Sequence, residues 1–334
     1  MKVLVTGGMG YIGSHTVVKL IENGYDVVIV DNLYNSKESV LDSIFAITKV
    51  RPKLYIADVC DLEKLNDIFD KERPDGVIHF AGLKAVGESC QKPLLYYKNN
   101  IISALNVLDC MQKYKCNNLV FSSSATIYGE PDSLPLTEAS PRKEATNPYG
   151  QTKVVIEKII EDECSVRPEL NAAILRYFNP IGAHKSGLLG EDPNGIPNNL
   201  LPYINKVAVG ELKELNVFGN DYDTPDGTGV RDYIHVEDLA NGHVLALNKL
   251  KENCGLLICN LGTGKGTSVL EMVHAYESAT GVNIPYSIKP RRPGDVAINY
   301  ASTLKAKNVL GFECHYTIAD ACFDAYNFQV KNKK

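Results

Sequence analysis

The sequence lacks the features that mark several large classes of protein. Its nine cysteines form no Cys-x-x-Cys pair and have no histidines at ligand spacing, which argues against a zinc site or a disulfide framework. No apolar run approaches the length of a membrane span. Because the formal charge is −5, a general nucleic-acid binder is also excluded, since that function needs a net basic surface.

The cysteines and the N-terminus both indicate a reducing compartment. Several cysteines lie in apolar runs, as Cys259 does, and we interpret them as reduced thiols that bind no metal. The segment Met1–Gly7 reaches glycine after too short an apolar run for a signal peptide. We therefore expect a cytoplasmic protein without membrane or nucleic-acid partners.

Short β-branched runs alternate with longer helix-like stretches through the first half of the chain. The predicted strands are Lys2–Thr6, Asp26–Val30, Lys53–Ala57, Gly76–Phe80, Asn118–Ser122 and Ala172–Tyr177. The predicted crossover helices lie around Ile12–Asn23, Lys37–Val50, Leu62–Lys71, Asn99–Tyr114 and Pro148–Cys164. Continuous apolar strands separated by helices predict an α/β fold with a doubly wound parallel sheet. Such sheets bind ligands at the carboxyl ends of their strands.

The amino-acid composition of the sequence changes after residue 178. Residues 179–231 are rich in Gly, Pro and Asn, which is typical of loops with short elements. A later apolar run, Leu256–Asn260, is expected to return to the main sheet. We expect residues 1–178 to form the first domain, with 232–262 returning to it. Residues 179–231 and 263–334 then form a smaller, interleaved α/β domain over its open end.

A glycine-rich loop joins the first predicted strand to the first predicted helix. Gly7, Gly10 and Gly13 allow a tight turn, close approach of backbone to a pyrophosphate, and close packing of helix on strand. Asp31 ends the next strand, where an acid accepts from both ribose hydroxyls and repels a 2′-phosphate. Together they predict a Rossmann site for NAD. A turn aspartate is the alternative for Asp31, and Asp58 either faces the adenine or is an isolated acid.

Tyr149 and Lys153 are four residues apart at the start of a predicted helix, so they share a helical face. A nearby ammonium and a positive nicotinamide ring would lower the pKa of the phenol toward a usable general base. Upstream, Phe121–Ser124 leaves a strand at the same edge of the sheet and offers a hydroxyl. Chance pairing on a surface helix is the alternative. Combined with the glycine loop, the set predicts hydride transfer at an alcohol carbon.

These motifs resemble the extended short-chain dehydrogenase/reductase family. Longer strings resemble, within it, the UDP-galactose 4-epimerases: His79–Ser89, Arg176–Pro180 and Gly229–His235. The resemblance runs from residue 1 to about residue 305. It implies an isomerase that oxidises a UDP-hexose at the 4-position with NAD, lets the keto-sugar rotate, and reduces it from the other face.

The resemblance also implies roles for individual residues. Tyr149 takes the proton from the 4-hydroxyl, Lys153 lowers its pKa and holds the nicotinamide ribose, and Ser124 assists. The cofactor is lined by Gly7, Gly10, Tyr11, Ile12, Gly13, Asp31, Asn32, Asn35, Ser36, Asp58, Val59, Phe80, Ala81, Lys84, Asn99 and Tyr177. The sugar nucleotide contacts Lys84, Ser124, Thr126, Tyr149, Phe178, Asn179, Asn199, Leu200, Phe218, Arg231, Tyr233, Arg292, Asp295 and Asn299. The family usually forms homodimers through helices matching Asn99–Tyr114 and Pro148–Cys164.

Arg231 and Arg292 are the candidates for the diphosphate, because a guanidinium binds phosphate oxygens bidentately. Asp295 would accept from the nucleoside. The alternatives are a surface ion pair between Arg231 and Asp232, and a solvated pair of arginines at 291 and 292. Several epimerases of this family have a tyrosine at the position of Asn299, so the smaller asparagine predicts room for an N-acetylated sugar. The alternative is that Tyr300 refills the space.

Two other functions are possible for a chain with these motifs. A nucleotide-sugar 4,6-dehydratase would need an Asp-Glu pair after the serine motif, where this chain has Ala125–Ile127. A non-catalytic NAD-sensing protein typically loses the tyrosine or the lysine, and both Tyr149 and Lys153 are present. Both alternatives are disfavoured.

Overall fold

The computed structural model describes residues 1–143, 145–192, 195, 197, 199–292 and 294–333. The strands are β1 Lys2–Thr6, β2 Asp26–Asp31, β3 Lys53–Ile56, β4 Gly76–His79, β5 Asn118–Ser124, β6 Asn171–Tyr177, β7 Asn179–Ile181, β8 Leu215–Phe218, β9 Val230–Arg231, β10 Tyr233–His235, β11 Leu256–Leu261, β12 Thr267–Ser268, β13 Tyr286–Lys289 and β14 Ile298–Asn299. The helices are α1 Tyr11–Glu22, α2 Val40–Thr48, α3 Leu62–Glu72, α4 Val86–Gln91, α5 Pro93–Tyr114, α6 Pro148–Val166, α7 Leu200–Ala208, α8 Val236–Leu250, α9 Val269–Thr280, α10 Leu304–Leu310 and α11 Ile318–Lys331. A 3₁₀ turn spans Ala125–Tyr128.

A parallel sheet forms the centre of the molecule. Across the described residues it has seven strands in the order β11-β6-β5-β4-β1-β2-β3. Both of its faces are buried: Val3 and Val5 of β1 join one apolar cluster and Leu4 joins the cluster on the opposite face. Burial of such side chains contributes about 1.5–3 kcal/mol each, which is why these strands carry no polar face. The predicted doubly wound α/β fold is confirmed.

The strand order reverses between β1 and β4, so the loops that follow these two strands open a crevice at the carboxyl edge of the sheet. The glycine loop follows β1. The segment Phe80–Lys84 follows β4. A Cβ atom placed on Gly7 would lie 2.8 Å from the backbone nitrogen of Ala81, so the two loops touch at the base of the crevice.

The predicted elements of the first half are all present, and two differences have physical causes. Helix α5 starts at Pro93 rather than near Asn99, because proline fits the first helical turn, where its missing N–H costs nothing. The short helix α4 was not predicted. Its six residues are too few to show a helical period in the sequence.

The remaining elements build a second layer above the crevice. Helices α7, α9 and α11 pack around the pair β8–β13, with a core of their own that includes Ile204, Val217 and Tyr276. Between these segments the chain returns: α8 packs against α1, and β11 pairs with β6 at the edge of the main sheet. Among the described residues, we find no helix with the length and apolar character that a membrane crossing requires.

Candidate active site

The glycine loop holds the N-terminus of α1 open toward the crevice. Gly7 has a φ of 69°, and its nitrogen donates to Val30 at 2.8 Å. A Cβ atom on Gly13 would lie 2.2 Å from the carbonyl oxygen of Gly7, so only glycine permits this packing. Gly10 caps α1 without a side-chain bond to the first turn. The first-turn amides are thus available to an anion, and the loop fits a dinucleotide pyrophosphate.

Asp31 lies beside this loop at the end of β2 and is 7% exposed. Its Oδ2 accepts from the backbone nitrogen of Met9 at 3.0 Å. Its Oδ1 accepts from Leu33 N and Ser36 Oγ, both at 2.9 Å. Asp31 therefore also acts as a turn aspartate, because its hydrogen bond from Leu33 N closes a turn. A carboxylate has about four acceptor positions, so capacity remains for a ribose hydroxyl.

The other predicted cofactor residues surround the crevice or support it. Asn32 Nδ2 donates to Asp58 Oδ2 at 3.1 Å, so these two lie together. The Phe80 ring lies 4.8 Å from that of His243, which in turn lies 5.7 Å from the Tyr177 ring. Tyr11 donates to the Gly182 carbonyl at 2.7 Å.

Four further candidates contribute mainly packing or backbone groups. Ile12 packs on the apolar cluster around α1, and Ala81 on the cluster of the opposite face. Val59 is buried, and its carbonyl accepts from Asn106 at 2.9 Å. The Asn99 carbonyl accepts from the Cys60 thiol at 3.4 Å. Asn35 follows β2 in the same loop as Ser36, and it too makes an interaction with its surroundings.

The structure brings Ser124, Tyr149 and Lys153 together at the carboxyl end of β5. Asn147 caps α6 by accepting from Gly150 N at 2.9 Å, which places Tyr149 in the first helical turn. Ser124 is the last residue of β5, and its hydroxyl lies close enough to the Tyr149 phenol to lower the pKa of that phenol. The Lys153 ammonium lies 5.9 Å from the centroid of the Tyr149 ring.

Burial sets the protonation of this group. Burial raises the pKa of the Tyr149 phenol, and the neighbouring Ser124 hydroxyl opposes that rise only in part. Burial also lowers the pKa of Lys153 to about 8, against the attraction of Glu157. The protein alone thus leaves the phenol protonated. The sequence predicts that Lys153 and the nicotinamide ring together lower the pKa of the Tyr149 phenol. That stays a prediction for the enzyme with NAD bound.

A second cluster gathers five of the predicted substrate residues. Arg231 Nη2 and Arg292 Nε bind the two carboxylate oxygens of Asp295, at 3.1 and 3.0 Å. The Arg292 guanidinium lies 5.0 Å from the Phe218 ring centroid. Burial raises the pKa of Tyr233 to about 12, although both arginines oppose the rise. Two cations and an aromatic face are suited to a nucleoside diphosphate.

The surface ion pair considered for Arg231 and Asp232 is wrong. Asp232 is fully buried. Its carboxylate accepts from the backbone of Thr263, Gly264 and Ala301 at 2.8, 3.0 and 3.1 Å. The Asp232 carboxylate therefore connects the loop after β11 to Ala301, just beyond strand β14, and Arg231 binds Asp295 instead.

Glu191 is a residue that the sequence analysis missed. Its side chain is 9% exposed and accepts from Lys84 at 3.1 Å and from Asn199 at 2.9 Å. It therefore joins a residue predicted for the cofactor to the cap of α7, which begins at Leu200. Its partners lie 107 and 8 residues away. No local sequence pattern connects Glu191 with Lys84, the more distant partner.

Four predicted substrate residues lie between these clusters. Phe178 is buried in a small apolar cluster with Tyr128, and Asn179 beside it is exposed. The hydroxyl of Thr126 and the side-chain oxygen of Asn299 are buried without a hydrogen-bond partner in the described part of the chain. Such groups are costly unless a ligand or water satisfies them.

The chain is similar to known proteins over nearly its whole length. A model of the NAD dependent epimerase/dehydratase family matches residues 3–262. The chain belongs to this family. A UDP-glucose 4-epimerase of Bacillus subtilis is 52% identical over 332 residues, which is 99% of this chain and 98% of the relative. The expected resemblance to the nucleotide-sugar epimerases is confirmed.

Two solved structures match over nearly the whole chain. The Bifidobacterium longum UDP-glucose 4-epimerase, in complex with NAD⁺ and UDP, has a TM-score of 0.96 and 53% identity over 99% of both chains. The Stenotrophomonas maltophila UDP-glucose-4-epimerase, with bound NAD and formylated UDP-arabinopyranose, has a TM-score of 0.97 and 48% identity, covering 99% of this chain and 98% of that one.

Proposed function

We propose that this chain is a UDP-glucose 4-epimerase that interconverts UDP-galactose and UDP-glucose with NAD as its cofactor. The observation that carries the proposal is the convergence of Ser124, Tyr149 and Lys153 at the edge of a glycine-loop crevice. In this proposal residues 1–178 and 232–262 hold NAD. Residues 179–231 and 263–334 hold the UDP-sugar.

The crevice fits NAD at both ends. The first-turn amides behind Gly10 bind the pyrophosphate, and Asp31 accepts from the adenosine ribose. Phe80 and Tyr177 enclose the nicotinamide end. When bound, NAD accepts a hydride from the sugar 4-carbon and later returns it, so no net redox change occurs.

The side chains of the site move the proton. Tyr149 takes the proton from the sugar 4-hydroxyl, and Ser124 assists the transfer between the hydroxyl and phenol oxygens. Lys153 supplies positive charge beside the phenolate. Arg231 and Arg292 hold the diphosphate while the sugar end stays loose enough to rotate. In this scheme the same phenol serves both faces of the sugar.

One experiment tests the function directly. Purified protein is incubated with UDP-galactose, without added oxidant, and the product is identified by chromatography and NMR. We expect UDP-glucose, and NAD released on denaturation. A protein that carries no dinucleotide and leaves every UDP-hexose unaltered would overturn the proposal.

Arg231→Gln tests the grip on the diphosphate. Loss of a charge-assisted pair costs about 1.5–3 kcal/mol, so KM for UDP-galactose should rise by about tenfold to a hundredfold, with a smaller change in kcat. The matched control is Arg291→Gln, because Arg291 binds Asp221 and lies over the Tyr222 ring instead. Equal KM values for the two variants would remove Arg231 from the site.

Asn299→Tyr tests acceptance of N-acetylated sugars. Asn299 ends β14 beside Arg231 and is partly buried. In this proposal its side chain, smaller than a tyrosine, leaves room for the N-acetyl group. We expect the wild type to epimerise UDP-N-acetylglucosamine and the variant to lose at least about tenfold of that activity, the scale of a misfit in a packed site. Activity on UDP-galactose should change less. Equal activity of both proteins on the N-acetylated substrate would end the idea.

The assembly and the compartment belong to the same proposal. Helix α5 exposes Leu94, Leu95, Ile102 and Leu105, which supports a homodimer through α5 and α6. Light scattering should give twice the mass of the chain. All nine cysteines are free, which supports a reducing cytoplasm.

A further inference from the structure

Helix α6 carries an acid on the same face as its two catalytic candidates. Glu157 follows Lys153 by four residues, as Lys153 follows Tyr149, so the three side chains are stacked along one face. Glu157 is fully buried. A buried carboxylate is costly unless it is well paired, and the proposed roles of the site do not account for it.

Glu157 is held by partners from three other segments. Arg176 of β6 binds it with Nη2 at 2.7 Å and with Nε at 3.1 Å. The Ser123 hydroxyl of β5 donates to it, and Arg142 lies 3.5 Å away. Arg176 is itself buried, and its third nitrogen donates to Tyr128 at 3.1 Å. The charge pair is therefore closed from solvent and fully engaged.

The consequence is a pair of hydrogen bonds between α6 and the end of β5. Lys153 donates to the carbonyl of Ser122 at 2.7 Å, and Glu157 accepts from the hydroxyl of Ser123. The third serine, Ser124, has its hydroxyl near the Tyr149 phenol. Each residue of the triple-serine segment thus lies against a different turn of the helix, which sets the height of the phenol and the ammonium above the sheet.

Glu157 also supplies a negative charge that acts on Lys153. Its attraction raises the pKa of Lys153, which burial lowers to about 8. Other ionisable groups reach this region from the packed elements: His79 of β4, Arg176 and Tyr177 of β6, Tyr128 of the 3₁₀ turn, Arg142 of the preceding loop, and Glu88 with Tyr96 of α4 and α5. His79 is neutral, because burial lowers its pKa to about 3. Glu88 accepts from Tyr96 and Lys92.

We propose that Glu157 is a positioning residue for the reaction: held by Arg176 and Ser123, it fixes α6 against β5 and keeps an anion one helical turn from the Lys153 ammonium. The inference rests on the proposed function, since it assigns Lys153 a charge that the reaction needs. Without Glu157 the ammonium loses its proton at lower pH, and the phenol loses its cationic neighbour.

The test is the pH profile of kcat for UDP-galactose, measured on full-length Glu157→Gln. The alkaline limb, where the ammonium is lost, should move to lower pH by about one pH unit, as expected when an opposite charge nearby is removed. Ser123→Ala keeps the carboxylate but loses its hydrogen bond to β5. It should lower kcat severalfold at every pH and leave the limb in place.

The matched control is Glu161→Gln, one turn further along α6, where the carboxylate binds Arg142 at 2.8 Å. Its pH profile should coincide with that of the wild type. If Glu157→Gln does not fold, the double variant with Arg176→Gln also removes the arginine charge that the single variant leaves buried and unpaired. The double variant should show the same movement of the alkaline limb. If a folded variant shows the alkaline limb of the kcat profile at the same pH as the wild type, the inference is overturned. A wild type inactive at every pH overturns the proposed function instead.

Discussion

Tyr149→Phe should abolish epimerisation and leave NAD bound. The substitution removes one oxygen, the phenol oxygen near Ser124, and keeps the ring beside the Lys153 ammonium. Removal of a positioned acid–base group costs about 10²–10⁴-fold in rate, so kcat should fall by that factor. The measurement is kcat for UDP-galactose, together with the NAD released from a known amount of purified protein.

A second tyrosine supplies the control for this variant. Tyr276 is buried in the core of the second layer, and its hydroxyl donates to Asn205 at 2.8 Å. Tyr276→Phe also loses a buried hydrogen bond, at a cost of about 1 kcal/mol in stability, but should leave kcat unchanged. If Tyr149→Phe keeps wild-type kcat, another group moves the proton, and Tyr149 has no acid–base role.

The sequence predicts those parts of the site that depend on neighbours along the chain. The glycine loop needs only a strand, a turn and a helix in succession, and Tyr149 with Lys153 needs only one helical turn. The same holds for the sheet, whose strands are apolar on both faces and therefore stand out from the helices between them. These features are encoded locally, and the structure has them at the expected positions.

The rest depends on contacts between distant segments, which spacing does not reveal. Arg176 meets Glu157 across 19 residues, and Lys84 meets Glu191 across 107. Asp232 was considered as a surface acid because it follows an arginine, yet packing turns it inward to the loop after β11. A carboxylate gives no sign in the sequence of whether it will be buried and paired, since the partner is chosen by tertiary packing.

Gly13→Ala should release the cofactor. The new Cβ atom would lie 2.2 Å from the Gly7 carbonyl oxygen and 2.9 Å from the Gly8 Cα, and both are backbone atoms that no rotamer change can move. Either α1 or the glycine loop must shift, and the amides of the first turn of α1 then no longer point toward the pyrophosphate. Overpacking of this kind costs about 1–3 kcal/mol, so affinity for NAD should fall by about fivefold to 150-fold.

Gly87→Ala is the matched control, because α4 leaves open space there and a Cβ atom would meet nothing within 4 Å. It should retain NAD and activity as the wild type does. For Gly13→Ala we expect a lower NAD content after purification, and activity that returns partly when NAD is added in excess. That return separates a weakened crevice from a protein that has failed to fold. If instead Gly13→Ala keeps its full complement of NAD, the close packing of α1 on the loop does not govern cofactor binding, and the crevice between β1 and β4 loses its assigned role.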